Sequence, residues 1–302
     1  MCLFPDLPNT LDSDLARLIE TIGATLVEAT PLSGRGHPHR QWNTCRLRLT
    51  DGRILKAARL ETPEQAETIE TLSDRLAHCG LPRVLGRSGC VLLAEWVAGQ
   101  PLTLAKRTHR IARRCGALQG RVHGEPVPEG RAGRLNDTPE RWLRRLAGNL
   151  DALAAAHVLE RGETRAAAEL ARRYAPSAWR SGITLGDFCP ENIVVRRSGE
   201  LCVIDNETLS IGPCDYDLGR TWYRWPMARA ERTAYLHGYA EHRSPSEHIA
   251  HFPYWAIMAI IDGLSFRRRM RPETTSTPVN RLRALLRDLE PGVAPADAMF
   301  RS

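Results

Sequence analysis

Lysine is almost absent from this chain of 302 residues. Lys56 and Lys106 are the two lysines among 42 basic residues, and every other basic residue is arginine. This bias indicates that arginine is used wherever either cation would serve, so the two lysines gain weight as positions that need a compact ammonium group. With 35 acidic residues the net charge is +7, which favours anionic partners such as nucleotides or phosphorylated metabolites without choosing among them.

Several other features are missing. The eight cysteines include no CxxC pair and no metal-ligand spacing with histidine, so we expect reduced thiols and a cytoplasmic location. The longest apolar run, at residues 254–261, is too short to cross a bilayer, and the N-terminus lacks the pattern of a signal peptide. The arginines of residues 144–173 alternate with acids at helical spacing, so we expect a solvated helix surface and no nucleic-acid partner.

The patterning along the chain predicts two parts. Residues 1–98 hold short β-forming runs, a DG turn at residues 51–52 and a helix that starts at Thr62. Residues 98–102 are predicted to form a loop, and from Leu102 the pattern is helical. We therefore predict an α+β fold with a small β-rich N-lobe, residues 1–98, and a larger, mainly helical C-lobe, residues 99–302. The N-lobe would contain a five-stranded antiparallel sheet and one or two helices.

Two acidic segments interrupt the helical part. TLGDFCPENIVV, residues 184–195, and VIDNE, residues 203–207, place Asp187, Asn192 and Asp205 beside apolar strand-forming runs. Isolated carboxylates are common on solvated loops. An acid, an amide five residues later and a second acid on a hairpin strand instead suggest chemistry, because carboxylate and amide oxygens are the ligands that Mg²⁺ prefers.

This order of motifs resembles the aminoglycoside phosphotransferase family of small-molecule kinases, from about residue 24 to 270. The family pattern H-G-D-x4-N is similar to LGDFCPEN, the strand end I-D-W/F-E to VIDNE, and the element Y-D-L to YDLGR at 216–220. The connector VLLAEWVAGQPL, residues 91–102, also resembles the family. The resemblance implies a bilobal protein-kinase-like fold. It also implies an ATP- or GTP- and Mg²⁺-dependent phosphotransferase that acts on a hydroxyl of a small molecule.

The resemblance assigns roles within the C-lobe, where phosphoryl transfer requires positioning and charge neutralisation above all. Asp187 would accept the proton of the attacking hydroxyl or orient it, and Asn192 and Asp205 would hold Mg²⁺. Asp217 would brace the catalytic loop by accepting backbone N–H bonds. Leu185 replaces the family histidine. A leucine at this position keeps the packing of the histidine and loses its polar contact.

A cation on the third strand is expected to bind the nucleotide phosphates. Strand alternation puts Lys56 and Arg59 on opposite faces, and we favour Lys56. Its acidic partner would be Glu67 or Glu70 on the following helix. The loop SGRGHPHR, residues 33–40, is the candidate phosphate cover. The adenine base is expected to bond backbone groups of three connector residues: Glu95, Trp96 and Val97.

The acceptor side is predicted from residues 219–229 and 266–271, which are rich in aromatic residues and arginine. Candidate acceptor contacts are Trp222, Tyr223, Trp225, Arg220, Arg224 and Arg229. The aromatic rings would stack on a sugar or planar ring, or they pack the helical core. Because polycationic aminoglycosides call for an acidic pocket, we expect a neutral or anionic hydroxylated metabolite or antibiotic.

Three other functions stay open at this point. A non-catalytic nucleotide-binding pseudokinase is favoured by Leu185 and by the irregular glycine loop. A protein kinase is disfavoured because the chain has no APE element and a short interval between Asp205 and YDL. A kinase acting on a lipid-linked sugar at a membrane surface is the third.

Overall fold

The chain forms two compact units. They comprise Met1–Pro101 with Ile193–Ser210, called the sheet unit here, and Leu102–Asn192 with Ile211–Ser302, called the helical unit. The domain boundary at residues 98 and 99 stays a prediction. The structure is a computed structural model that describes residues 12–32, 44–103, 108–129, 138–289 and 294–301. The predicted phosphate cover, residues 33–40, and Lys106 lie outside these residues.

A five-stranded antiparallel sheet organises the sheet unit, in the order β1-β2-β3-β5-β4. Its strands are β1 (Leu26–Pro31), β2 (Thr44–Leu49), β3 (Ile54–Arg59), β4 (Val84–Ser88) and β5 (Val91–Glu95). The β2–β3 hairpin turns at Gly52, whose φ of 84° is a left-handed conformation that glycine adopts easily. Helix α1 (Asp12–Thr21) packs its apolar side onto the sheet, with Leu15, Leu18 and Ile19 buried in the same core.

Helix α2 (Pro63–Leu76) follows β3. The Thr62 side chain accepts the backbone N–H of Gln65 at 3.2 Å, and Pro63 occupies a first-turn position where a missing N–H costs nothing. The helix ends in a short 3₁₀ turn, Ala77–Cys79, before Gly80. The helix start predicted at Thr62 is therefore the N-cap of α2.

A three-stranded sheet carries the segment that contains Asp205. Strands β8 (Ile193–Val195) and β9 (Leu201–Val203) form a hairpin, and β6 (Gln100–Pro101) pairs with β8. The sequence predicted the hairpin but assigned residues 98–102 to a loop, since a strand of two residues has no periodicity to detect. Gly99 permits this pairing, because a Cβ atom there would collide with the Val195 carbonyl.

The helical unit is built around a buried helix. Its helices are α3 (His109–Gly124), α4 (Pro139–Ala155), α5 (Arg161–Arg173), α6 (Cys214–Arg224), α7 (Arg229–Ala240), α8 (Ser246–Ala250), α9 (Phe252–Met270), α10 (Ser276–Asp288) and α11 (Pro295–Arg301). Residues 252–261 of α9 are buried. Strands β7 (Ser181–Thr184) and β10 (Ser210–Pro213) pair with each other. The sequence predicted that α3 starts near residue 102, but the Thr108 side chain caps it, so it starts at His109.

The described part of the chain shows two further features, which concern its helices and its cysteines. None of its helices is long and apolar enough to cross a membrane. Its seven cysteines are all free thiols: Cys45, Cys79, Cys90, Cys115, Cys189, Cys202 and Cys214.

Candidate active site

Asp187 lies in the helical unit, on the loop between β7 and a 3₁₀ turn, Pro190–Asn192. The buried side chain of Asn192 holds this loop, because its Nδ2 donates to the Asp187 carbonyl at 2.9 Å and to Asp187 Oδ2 at 3.2 Å. The Asp187 side chain keeps 24% of its surface exposed. The carboxylate is therefore fixed in place; its Oδ1 is buried, and the rest of the side chain is partly exposed to a small molecule.

Two arginines of α6 flank the same carboxylate. Arg224 Nε lies 3.2 Å from Asp187 Oδ1, and the Arg220 guanidinium lies 3.6 Å from that oxygen. The two arginines are four residues apart and share one face of the helix. Burial lowers the pKa of Arg220, but the neighbouring Tyr216 and Asp187 outweigh burial and raise it. The structure thus brings two predicted acceptor contacts against the predicted catalytic acid.

Asp217, in the first turn of α6, holds the start of the catalytic loop. Its buried carboxylate accepts the backbone N–H of Leu185 at 3.0 Å and that of Gly186 at 2.8 Å. Gly186 has a φ of 73°, which favours glycine at this turn. Leu185 is attached through its backbone while its side chain packs in the core, so a histidine side chain is not needed for this contact.

Two polar residues of α3 that the sequence analysis missed complete the surroundings of Asp217. His123 Nε2 lies 2.9 Å from Asp217 Oδ2, and Gln119 Nε2 donates to the same oxygen at 3.0 Å. Burial lowers the pKa of His123, but the neighbouring Cys214, Tyr239 and Asp217 outweigh it and raise the pKa well above 6.5. The available signal was a pair of polar residues four apart on the apolar face of a helix.

Lys56 of β3 meets two carboxylates within the sheet unit. Its Nζ lies 2.9 Å from Asp205 Oδ1 and 2.8 Å from Glu207 Oε1. Burial lowers the pKa of Lys56, but Glu207 and Asp205 outweigh burial and raise it. Burial raises the pKa of Glu207, whereas Lys56 outweighs burial at Asp205 and lowers its pKa. The three side chains form a compact ionic cluster.

The backbone around Asp205 directs its carboxylate. Asp205 has φ 64° and ψ 49°, a left-handed conformation that is uncommon for residues other than glycine, although Asp tolerates it. The next residues are anchored, because Gln65 Nε2 donates to the Glu207 carbonyl at 2.9 Å. Asn206 Nδ2 donates to the Val203 carbonyl at 3.2 Å. The turn therefore presents both acids to one lysine.

The other predicted phosphate-side residues lie apart from these contacts. Arg59 is three residues after Lys56 on β3, and its buried Nε has no hydrogen-bond partner among the residues described. Glu70 of α2 pairs with Arg87 at 2.9 Å. Glu67 is exposed on the same helix. The carboxylates that contact Lys56 come from the segment after β9. The sequence had predicted a partner on α2.

The predicted adenine contacts lie at the end of β5. The backbone N–H of Glu95 donates to the Arg83 carbonyl at 3.0 Å, so it is already used within the sheet unit. The Arg46 guanidinium lies 5.4 Å from the ring centroid of Trp96, within cation–π range. Val97 follows as a partly exposed residue outside the strand. Base recognition through these residues stays a prediction.

Trp222 and Trp225, the predicted stacking residues, belong to the core of the helical unit. They are 5% and 2% exposed. The Trp222 ring lies edge-on to Phe252 with centroids 5.0 Å apart. Trp225 contacts Phe188 and Tyr235, at 6.3 and 6.2 Å. Core packing, the alternative that the sequence left open, describes both residues, and we propose no stacking role for them.

Solved structures with the same fold include three small-molecule kinases. The macrolide 2′-phosphotransferase MphH of Brachybacterium faecium is 18% identical, with a TM-score of 0.59, covering 89% of this chain and 98% of that one. The ADP-bound aminoglycoside phosphotransferase APH(2″)-Ib is 15% identical, with a TM-score of 0.61 and coverages of 97% and 99%. The choline kinase LicA of Streptococcus pneumoniae is 12% identical, with a TM-score of 0.59 and coverages of 89% and 95%. The kinase-like α+β fold expected from the sequence is confirmed.

A search of curated protein sequences found no match to the chain. Residues 33–250, which make up most of the sequence, match the phosphotransferase enzyme family, APH. The family resemblance inferred from the motifs is thereby confirmed. The chain belongs to the phosphotransferase enzyme family and is a small-molecule phosphotransferase with a protein-kinase-like fold.

Proposed function

We propose that this protein is a kinase that uses ATP or GTP, with Mg²⁺, to phosphorylate a hydroxyl group of a small molecule. The observation that carries the proposal is the Asp187 carboxylate, which Asn192 holds in place and which remains accessible. Nucleotide use is supported by the similar aminoglycoside phosphotransferase whose structure contains ADP. The free thiols of the described residues favour a reducing compartment such as the cytoplasm.

The donors of the ionic cluster fit a divalent cation. Asp205 and Glu207 place two carboxylates against the single ammonium of Lys56, which leaves surplus negative charge. Glu207 Oε1 is buried and receives no hydrogen bond of normal geometry from the described residues. Hard anionic oxygens of this kind are the ligands that Mg²⁺ prefers, so Asp205 and Glu207 would hold the ion. Bound Mg²⁺ would neutralise the charge of the phosphates during transfer.

Asn192 is the other predicted metal ligand, and its geometry leaves that role open. Its Nδ2 is used by Asp187, as the carbonyl and carboxylate bonds show. The amide oxygen is the atom that remains for a cation. Its participation stays a prediction from the family motif.

The residues of the helical unit would act by positioning. The acceptor hydroxyl would approach Asp187, which would orient it and take its proton. The hydroxyl oxygen would bond to the γ-phosphorus while the bond from that phosphorus to the bridging oxygen breaks, and ADP or GDP would leave. Asn192 and Asp217 hold the loop on either side of this carboxylate. Because the transition state is loose, holding the hydroxyl in line with the phosphate is the largest contribution expected of the protein.

Lys56 would act on the nucleotide side. Its side chain is 16% exposed, and its ammonium is paired with two carboxylates. Binding of a nucleotide phosphate would give it a third anionic partner, and the compact charge of lysine suits a phosphate oxygen. Lys56 is therefore our candidate for the phosphate contact in preference to Arg59, whose Nε is buried without a hydrogen-bond partner among the described residues.

A phosphate-transfer assay with matched variants tests the proposal. ADP or GDP formation is measured with Mg²⁺, ATP or GTP, and a panel of hydroxylated metabolites and antibiotics. Asp187→Asn should lower turnover by about 10²- to 10⁴-fold, the usual contribution of a general base, and leave nucleotide affinity unchanged. Asp151→Asn, an exposed residue of α4, is the control for the same chemical change.

The pseudokinase alternative makes the opposite prediction. Wild-type protein would bind nucleotide and transfer phosphate to no acceptor, and Asp187→Asn would change nothing measurable. The backbone bonds that hold Leu185 and Gly186 to Asp217 argue against it, because the loop stays braced without the family histidine.

A further inference from the structure

Tyr223 of α6 has a buried hydroxyl without a partner. The residue is 8% exposed, and its oxygen makes no hydrogen bond within the part of the chain that the structure describes. A buried hydroxyl left unsatisfied loses its hydration without compensation, so such a group needs an explanation. A ligand that accepts or donates a hydrogen bond at this point provides one.

Helix α9 packs closely against the hydroxyl end of this ring. A Cβ atom at Gly263 would lie 2.7 Å from Tyr223 Cε1 and 3.0 Å from its hydroxyl oxygen, so glycine makes the approach possible. Arg267 follows one helical turn later, on the same face of α9. Its NH1 donates to the Thr274 carbonyl at 3.1 Å, which holds the guanidinium near the end of the helix.

Helix α10 contributes a second arginine, which contacts Trp222, the residue before Tyr223 in α6. Arg281 NH2 donates to the carbonyl of Trp222 at 2.6 Å, and its guanidinium lies 4.3 Å from the Trp222 ring centroid. Its Nε is buried and has no hydrogen-bond partner among the described residues. Burial lowers the pKa of Arg281 to about 10. An anion beside it would offset that loss of hydration.

Positive charge exceeds negative charge around the tyrosine. Arg220 and Arg224 share the Asp187 carboxylate, whereas Arg267 and Arg281 form no ion pair with any described residue. Burial raises the pKa of Tyr223, and the positive charges of all four arginines counteract that rise. Guanidinium groups and a phenol are suitable donors for phosphate or carboxylate oxygens.

We propose that Tyr223, Arg224, Arg267 and Arg281 bind an anionic substituent of the acceptor, so that the substrate is a hydroxylated small-molecule anion. The proposal rests on the proposed function, because Arg224 contacts the predicted catalytic carboxylate at 3.2 Å. A phosphate or carboxylate held by these residues would keep a hydroxyl of the same molecule beside Asp187. Phosphate and carboxylate share this chemistry, and matched acceptors distinguish them.

Calorimetric titration with inorganic phosphate tests the site without any turnover. Tyr223→Phe removes an oxygen that has no partner in the described protein, so thermal stability should not fall, while phosphate affinity should fall about 10-fold. The double variant Arg267→Gln/Arg281→Gln should lose about 100-fold, as expected for two charged donors. The control is Arg268→Gln/Arg269→Gln, two exposed arginines of the same helix, and its affinity should match that of wild type.

Two results of the titration would overturn the site. One is unchanged phosphate affinity in Tyr223→Phe. This variant keeps the proposal testable even if the arginine variant fails to fold. The other is loss of phosphate binding in Lys56→Gln with full binding in the arginine variant, which would place the anion on the nucleotide side.

Acceptor selectivity tests the consequence for the substrate. The ratio of kcat/KM for ribose 5-phosphate over ribose, and for gluconate over glucose, should exceed 1 and fall towards 1 in Arg267→Gln/Arg281→Gln. Efficient phosphorylation of a neutral or cationic acceptor, unaffected by that variant, would overturn the proposal and leave the kinase function intact. If no acceptor is phosphorylated, the proposed function fails, and the phosphate titration alone decides on the anion site.

Discussion

Replacing Asp217 by Asn tests whether one buried carboxylate holds the catalytic loop. Its Oδ2 receives bonds from Leu185, Gln119 and His123, and its Oδ1 receives the Gly186 N–H at 2.8 Å. An asparagine offers one oxygen, so its amide NH₂ must face at least one of these donors. The substitution keeps the shape and removes the charge.

The expected loss follows from these four bonds. One buried donor is left unpaired, at about 1–3 kcal/mol, and the other bonds change from charged to neutral acceptors. Removing one partner of a buried ionic contact costs about 3–5 kcal/mol in comparable sites, and we expect a value within that range for Asp217→Asn. A local loss of about 3 kcal/mol corresponds to a more than 100-fold larger equilibrium constant for opening of the loop.

Two measurements check this value. Urea unfolding gives the free energy of unfolding, and hydrogen exchange reports the opening of the Leu185 and Gly186 amides. Asp151→Asn provides the control on an exposed site, where a change within about 0.5 kcal/mol is expected. If Asp217→Asn also stays within that margin and both amides remain protected, the carboxylate does not hold the loop.

Three further predictions concern other contacts. The folded pKa of His123 is raised above 6.5, so its contribution to stability is complete below pH 6.5 and is lost as pH rises through the folded value. The free energy of unfolding of His123→Gln, measured with urea, should lack this alkaline decline. Parallel pH profiles of the two proteins would contradict the prediction. Lys56→Met leaves two acids without their ammonium and should lower the free energy of unfolding by about 2–3 kcal/mol, less than for fully buried pairs; unchanged stability would show that other groups neutralise the cluster. Gly263→Ala should lower stability by about 1–3 kcal/mol, because the added Cβ would contact Tyr223. Gly148 has open space around it, so Gly148→Ala should raise stability by up to about 1 kcal/mol. Equal shifts of the two variants in thermal unfolding would refute the packing argument.

Local signals in the sequence predicted local structure. The DG turn produced the β2–β3 hairpin, the threonine–proline pair at residues 62–63 produced the start of α2, and the acidic motifs fell on the predicted hairpin and loop. Each depends on backbone conformations and caps within a few residues. The family resemblance then extended these elements to the kinase-like fold, which the comparisons confirm.

Contacts between distant segments could not be predicted in the same way. The bond between His123 and Asp217 joins residues 94 positions apart, and the pair of Lys56 and Asp205 joins residues 149 positions apart. Periodicity places a residue on a face of its own element but does not say which element covers that face. For this reason the acidic partner of Lys56 was sought on α2, and His123 was not identified.

The ionic cluster around Lys56 has a consequence for ligand order. A nucleotide that arrives without a cation brings further negative charge to a lysine whose charge is already more than balanced by Asp205 and Glu207. Metal-free nucleotide should therefore bind weakly, and each of the two ligands should strengthen the binding of the other by the same factor. The sheet unit would then bind the metal–nucleotide complex more tightly than it binds the metal or the nucleotide alone.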